Sequence, residues 1–505
     1  MNRDGIENAI AQWRGVLGEA RMLVGEGCAA YSRCTMANPR LIPAVLRPES
    51  EAQISDIVHI AAANRVPLYP ISTGNNWGYG SANPVTDDCV IVDLSGMTAI
   101  RMADAQLGMV TVQPGVTTQQ LYDFIQRESL PFLVPVTGAG PDCSIVGNAL
   151  ERGYGITPVS DHFAAVLGLR AVLADGSVYQ SSLAETGYLH KWGVGPYLDG
   201  LFTQGNFGIV TEMTIALAPK PEKTAALLFE VNEEKLDDCI DAVRQLMNSF
   251  PGMIGGINLM NRLRVQAMMG ERKKIPAWTG FATLYISNAL WPVFCQEIRK
   301  VLAPHSQRLL FLTRGKSELL HKAAALVPGR AGRGLHAQLK KLLEAQDLVE
   351  GKPINTALRM AYTRSGRLPE NEQYNPARDG CGLIWYAPLV PMKAQCVRDY
   401  IAMVEDICPR YGIDPLITLS TLNNRCFDST VPLLFDRATD SGQAMQCYRA
   451  LLAAGKEKGF LPYRLNVEVM PEIVNASSAF WSLVKTLKNA ADPHNIIAPG
   501  RYCPL

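Results

Sequence analysis

At 505 residues the chain is too long for one ordinary core, and its 48% hydrophobic and 19% charged content describes a globular protein of two packed units with subdomains. A formal charge of +1 speaks against a nucleic acid or other polyanion as partner, and no apolar run approaches the length of a membrane span. The twelve cysteines show no C-x-x-C pair, zinc spacing or C-x-x-C-H haem attachment, so reduced, mostly buried thiols and no resident metal are expected.

Residues 1–7 lack a basic region followed by an apolar core, so no secretion signal is expected and the cytoplasm is the expected compartment. The first 60 residues read as helix and short strands, ending in an amphipathic helix over Glu51–Asn64. From 66 to about 219 short β-rich runs alternate with turns: 89–94, 108–112, 171–174 before the turn Asp175-Gly176, and 209–218. Pro219-Lys220-Pro221 then reads as a boundary. Beyond it, helical windows at 233–249, 291–302 and 397–411 mix with strand candidates at 281–286 and 383–387, the texture of an open sheet covered by helices. Residues 305–352 read only as a long polar excursion. The basic clusters Arg272-Lys273-Lys274 and Lys340-Lys341 read as solvated surface. From about 460 the texture changes again, to a helix and a Pro/Gly-rich tail. The expected division is therefore 1–219, 220–459 and 460–505.

The most informative stretch is Pro70-Ile71-Ser72-Thr73-Gly74-Asn75-Asn76-Trp77-Gly78-Tyr79-Gly80-Ser81-Ala82. A loop so rich in Gly, Ser and Asn can bring its backbone N–H groups close to phosphates, because few side chains intervene. No Gly-Lys-Ser/Thr closes it, which excludes the nucleotide-triphosphatase loop, and it lacks the strand–GxGxxG–helix order of a nicotinamide site. Taken alone it could equally be a glycine-rich turn. Three further segments share its character: 147–158 with 160–163, the Gly/aromatic run 191–210, and Asp492-Pro493-His494-Asn495-Ile496-Ile497-Ala498-Pro499-Gly500-Arg501.

In this order the segments resemble the flavoprotein family of vanillyl-alcohol oxidase and p-cresol methylhydroxylase, with the p-cresol methylhydroxylase branch nearer. The resemblance runs from about 40 to 502 and is weakest between 225 and 365. It implies an α+β fold: a two-subdomain FAD-binding domain built from the N-terminal part and the extreme C-terminus, and an α/β cap domain that supplies most of the substrate pocket. By the same resemblance FAD is held by Ile71, Ser72, Thr73, Gly74, Asn75, Asn76, Gly80, Ser81, Gly147, Asn148, Gly155, Gly208 and Ile209.

The implied chemistry is benzylic oxidation of a 4-alkylphenol bound as phenolate, with water adding to the resulting quinone methide. A free phenol has a pKa near ~10, so the site must supply cations and hydroxyl donors to hold the anion. Tyr79, Tyr463 and Arg501 match the family's phenolate-binding positions, and Arg464 adds positive potential. Glu370 matches a carboxylate near the reacting carbon that could accept the proton of water. Ile156, Trp385, Leu419 and Asp428 match pocket walls. The family's histidine link to FAD, counted back from Pro388, falls on Leu383, which cannot form it. Glu370-Asn371-Glu372-Gln373-Tyr374-Asn375 instead reproduces the spacing of a tyrosyl link, making Tyr374 the candidate.

Departures from the family pattern cluster at one end of the pocket. Relatives carry a Glu and a His-His on cap strands where this chain reads Ile417-Thr418-Leu419-Ser420 and Cys426-Phe427-Asp428-Ser429. Two tyrosines are replaced by Ile156 and Val159. A larger or more apolar para substituent than methyl is the expectation. The expected acceptor is a separate c-type cytochrome, whose export would move the chain to the periplasm, and the expected assembly is a homodimer. The alternatives are an oxidase that returns electrons to O₂, an FAD-dependent 2-hydroxy-acid dehydrogenase, and a flavin-fold binding protein without catalysis.

Overall fold

The computed structural model describes residues 3–36, 38–269, 275–326, 329–364, 368–370, 373–474 and 477–504. The Arg272–Lys274 cluster, Asn371 and Glu372 lie outside them, as does the side chain of Lys341.

Two small sheets occupy the N-terminal half. In the first, Met22–Val24, Ala44–Leu46, Val90–Asp93 and Leu68–Ile71 lie side by side, the last three parallel. The helix Glu51–Asn64 forms as expected. Ser50 caps it by accepting from the Gln53 N–H, and Arg65 ends it with φ +54°. Ile54, Ile57, Val58 and Ala61 are its buried face, packed in one core with the sheet. The second sheet is antiparallel, in the order Ile100–Asp104, Met109–Val112, Ile209–Ala216, Val166–Val172, Val178–Gln180. The expected strand at 171–174 starts earlier, because its partner Ile209–Ala216 offers a long ladder to pair with.

Sheet membership changes between Ala218–Pro219 and Lys223–Val231. The latter strand enters a third, antiparallel sheet in the order Arg308–Thr313, Lys223–Val231, Trp278–Ile286, Ile254–Asn261, Thr418–Thr421, Cys426–Asp436, Cys381–Tyr386. Period-two alternation gives this sheet two different faces. Leu227, Ile257, Ala282, Leu419 and Phe427 point into a core shared with the helices Leu236–Ser249, Trp291–Leu302, Ala394–Arg410 and Ser441–Lys458. Leu228, Asn258, Phe281, Ser420 and Thr430 instead line a large cavity. The excursion at 305–352 resolves into the strand Arg308–Thr313 and the helices Arg314–Ala325 and Gly329–Val349.

The C-terminal segment returns to the first sheet. The Leu68 N–H donates to the Ile496 carbonyl and the Ala498 N–H to the Leu68 carbonyl, both at 2.7 Å. Lys488, 2% exposed, anchors this return by donating to Asp492 at 2.6 Å and to the Asn206 and Ile497 carbonyls. Among the described residues no helix is long and apolar enough to cross a membrane.

Candidate active site

A cavity of about 870 Å³ runs between the N-terminal sheets, the C-terminal segment and the open face of the large sheet. Its N-terminal wall is the loop after Leu68–Ile71. Gly74 (φ +69°) and Gly78 (φ +77°) adopt backbone that side chains disfavour, and a Cβ on Gly78 would stand 2.3 Å from Trp385 Cδ1. The loop is pinned from behind: Thr35 Oγ1 accepts from the Gly78 N–H at 3.1 Å, and Asn466 Nδ2 donates to the Gly78 carbonyl at 3.0 Å.

This wall fits the pyrophosphate of FAD. The backbone N–H groups of Ser72 through Asn76 have no acceptor among the described residues, which leaves a row of unused donors on residues that line the cavity. Gly147 lies against the same row, where a Cβ would come within 3.1 Å of Ser72 Oγ. Asn206, also on the wall, keeps a buried Oδ1 without a partner while its Nδ2 donates to the Ala498 carbonyl. Of the cofactor residues expected from sequence, Ile71, Ser72, Thr73, Gly74, Asn75, Asn76, Ser81, Gly147, Asn148, Gly155 and Gly208 line the cavity. Two do not. A Cβ on Gly80 would meet Val467 at 2.7 Å, and Ile209 is a core residue paired with Val172.

Farther along, Tyr79, Tyr463, Arg464 and Arg501 converge on the wall. The Arg464 guanidinium stands 4.2 Å from the centre of the Tyr79 ring and donates to Asn76 Oδ1 at 2.6 Å. Burial pushes the Tyr79 and Tyr463 phenols well above their ordinary range, so both are hydroxyl donors at neutral pH. Burial alone would lower Arg464, yet Tyr79, Tyr463 and Tyr502 together hold it above the usual arginine value. Glu151, absent from the sequence reading, sits between the two arginines. Its carboxylate is 3.5 Å from Arg464 and ion-paired with Arg501, which also donates to the Tyr69 hydroxyl at 2.5 Å. Two cations against one carboxylate leave this end of the cavity positive.

Asp428, expected on the pocket wall, pairs with Ser420 in the large sheet but is fully buried and is not among the residues that line the cavity. The Tyr154 hydroxyl donates to its Oδ2, while Oδ1 has no partner. Burial raises its carboxyl to about 7, against the lowering effects of Tyr154 and Arg464. Tyr154, missed from the sequence, carries the same signature as Tyr79, since each is a tyrosine between two glycines. Its ring is 5.9 Å from that of Tyr463.

Several expected positions land elsewhere. Glu370 is exposed and off the cavity wall, so its assigned contact with the reacting carbon is corrected; a polar surface turn holds it in solvent. Leu419 points into the helix-covered core, and its neighbours Thr418 and Ser420 line the cavity in its place. Tyr374 is buried one layer behind the wall, among Trp77, Leu358, Ala361 and Leu383, and its hydroxyl accepts from Arg359 Nε at 3.0 Å. Ile156 and Trp385 do line the cavity. The end expected to be apolar is not so, because Asn258, Arg264, Thr418, Ser420 and Thr430 all reach it.

Comparison with known proteins agrees with this geometry. A model of the FAD binding domain matches residues 42–182. The 1'-carboxy-chondrochloren decarboxylase of Chondromyces crocatus is 34% identical, over 99% of this chain and 98% of its own. The flavoprotein subunit of 4-cresol dehydrogenase (hydroxylating) from Pseudomonas putida is 28% identical, over 98% and 94%. The structure of p-cresol methylhydroxylase with substrate bound superposes with a TM-score of 0.85 at 25% identity, covering 99% and 98% of the two chains. Fold and site together define an FAD-dependent oxidoreductase. More narrowly, the chain belongs to the vanillyl-alcohol oxidase and p-cresol methylhydroxylase family of flavoproteins.

Proposed function

We propose that the protein oxidises para-substituted phenols at the benzylic carbon. The observation that carries this is the cluster of Tyr79, Tyr463 and Arg464 on the cavity wall, with the guanidinium 4.2 Å from the Tyr79 ring. Two phenolic donors beside a cation hold a substrate phenol as its anion, which is what makes the para carbon a hydride donor. FAD, when bound, supplies the hydride acceptor at N5. Water then adds to the quinone methide at the same carbon, and Asp428, with a carboxyl raised to about 7, accepts the proton by way of Tyr154. In this reading residues 1–219 with 460–505 form the cofactor half and 220–459 the substrate half.

Electrons pass to a separate c-type cytochrome; the Pseudomonas relative is itself named as a subunit. The flavin link is assigned to Tyr374, two residues before the wall residue Pro376. Its formation requires the hydroxyl to leave Arg359 and reach the cavity.

Anaerobic addition of 4-alkylphenols of increasing chain length should bleach the yellow flavin; no bleaching with any of them overturns the reading. Rapid reoxidation of the bleached enzyme by air would replace the cytochrome by O₂. Yellow colour that stays with the denatured polypeptide, and leaves it in Tyr374→Phe, supports the link; free flavin from wild type refutes it. A second reading, loss of CO₂ from a carboxylated substrate, is favoured by the activity for which the Chondromyces relative is named.

A further inference from the structure

Arg264 opens the helix Arg262–Met269, just after the strand Ile254–Asn261, and lies on the cavity wall beside Trp385 and Met360. It is 9% exposed. Three other enclosed cations near the cavity have answering carboxylates: Arg464 and Arg501 share Glu151, and Lys488 has Asp492. Arg264 has none among the described residues. Its Nε makes no hydrogen bond, and its Nη1 donates at 2.7 Å to the Met360 thioether, a weak acceptor. Its guanidinium lies 5.8 Å from the Trp385 ring centre. Burial lowers it to about 10, with only Tyr154 opposing, so it is charged at neutral pH. A buried, charged, planar fork facing open space is costly unless a ligand answers it.

We infer that Arg264 receives a carboxylate carried on the para side chain of the substrate. The inference rests on the phenol reading for the substrate's other end. The direction follows from the fold: Met260, four residues before Arg264, pairs with Thr418 on the cap strand where the para substituent is expected. A carboxylate accepts two parallel bonds from an arginine fork and neutralises a buried cation to which the described residues offer no carboxylate. The side chain is therefore both larger than methyl and anionic, and a neutral alkylphenol leaves Arg264 unanswered.

The test compares 3-(4-hydroxyphenyl)propanoate with its amide and with 4-propylphenol, by titrating the visible spectrum of the oxidised holoenzyme. The carboxylate should bind about 10–100-fold tighter than either neutral ligand, the range of a hydrogen bond to a charged group. Arg264→Met should remove that preference while leaving affinity for 4-propylphenol within a few-fold, and Arg264→Lys should restore part of it. Equal binding of the three ligands by wild type, or an unchanged preference in Arg264→Met, overturns the inference. Because binding is read from the fast spectral shift that precedes any flavin reduction, a carboxylate preference with no later bleaching would sink the benzylic reaction and leave the Arg264 site standing. Bleaching with no carboxylate preference would do the reverse.

Discussion

Asp428→Asn offers the sharpest test of the site's electrostatics. The buried carboxyl titrates near 7 in the folded protein against 3.8 when unperturbed, because desolvation disfavours its charge. Between those values the folded state holds a proton that the unfolded state has lost, so stability falls as pH rises through the window and is flat outside it. Asparagine imitates the protonated form and has no such slope. From pH 5 to pH 8 the wild type should therefore lose roughly 3 kcal/mol relative to the variant, gathered over the span from pH 5 to about 7 in which only the folded carboxyl keeps its proton. Comparing the two proteins at each pH cancels the other titrations. Urea unfolding of both holoproteins at four pH values supplies the curve. A gap constant within 0.5 kcal/mol, on the order of ordinary surface effects, would show that Asp428 is not a buried, proton-holding carboxyl. The same ionisation should appear in kcat/KM, rising through pH 7 for a phenol substrate and vanishing in the variant.

Tyr79→Phe should keep FAD and slow its reduction by phenols about 100-fold, the usual worth of one anion-holding donor, read by stopped-flow absorbance; an unchanged rate removes Tyr79 from the phenolate site. Lys488→Met strands Asp492 in the core and should cost roughly 3–5 kcal/mol in unfolding, with weakened flavin retention; a loss below about 1 kcal/mol would contradict the pairing described. Gly78→Ala should displace Trp385, whose Cδ1 would lie 2.3 Å from the new methyl, and depress activity. The part due to the clash should disappear when the comparison is made in a Trp385→Ala background, the strain of a side chain at φ +77° remaining, and equal damage in both backgrounds would refute the clash.

What could be read from sequence followed from how local its cause was. The helix Glu51–Asn64 carries its own cap and apolar stripe, and the Gly-rich loop announces its N–H groups by composition, so both were legible. Leu419 was misplaced although its strand alternates, Ile417 and Leu419 apolar against Thr418 and Ser420; a family position rather than the period-two pattern had put it on the wall. Glu151 and Arg264 were invisible for a different reason. Each looks like an ordinary charged helix residue, and only the return of residues 463–501 or the sheet above shows that it is enclosed. Glu370 erred in the opposite sense: its spacing matched a motif, but the turn that carries it faces solvent.

The bonds between Leu68 and the segment 496–498 have a consequence for biosynthesis. The cofactor cradle is encoded by the first third of the chain, yet one of its walls emerges last, with Ile497, Ala498 and Arg501. While the ribosome is still shielding those residues, the loop at 72–76 faces an incomplete cleft. Flavin capture is therefore timed to release of the nascent chain, and premature termination anywhere before Lys488 yields a polypeptide that contains the recognisable FAD motif but has no way to close around it.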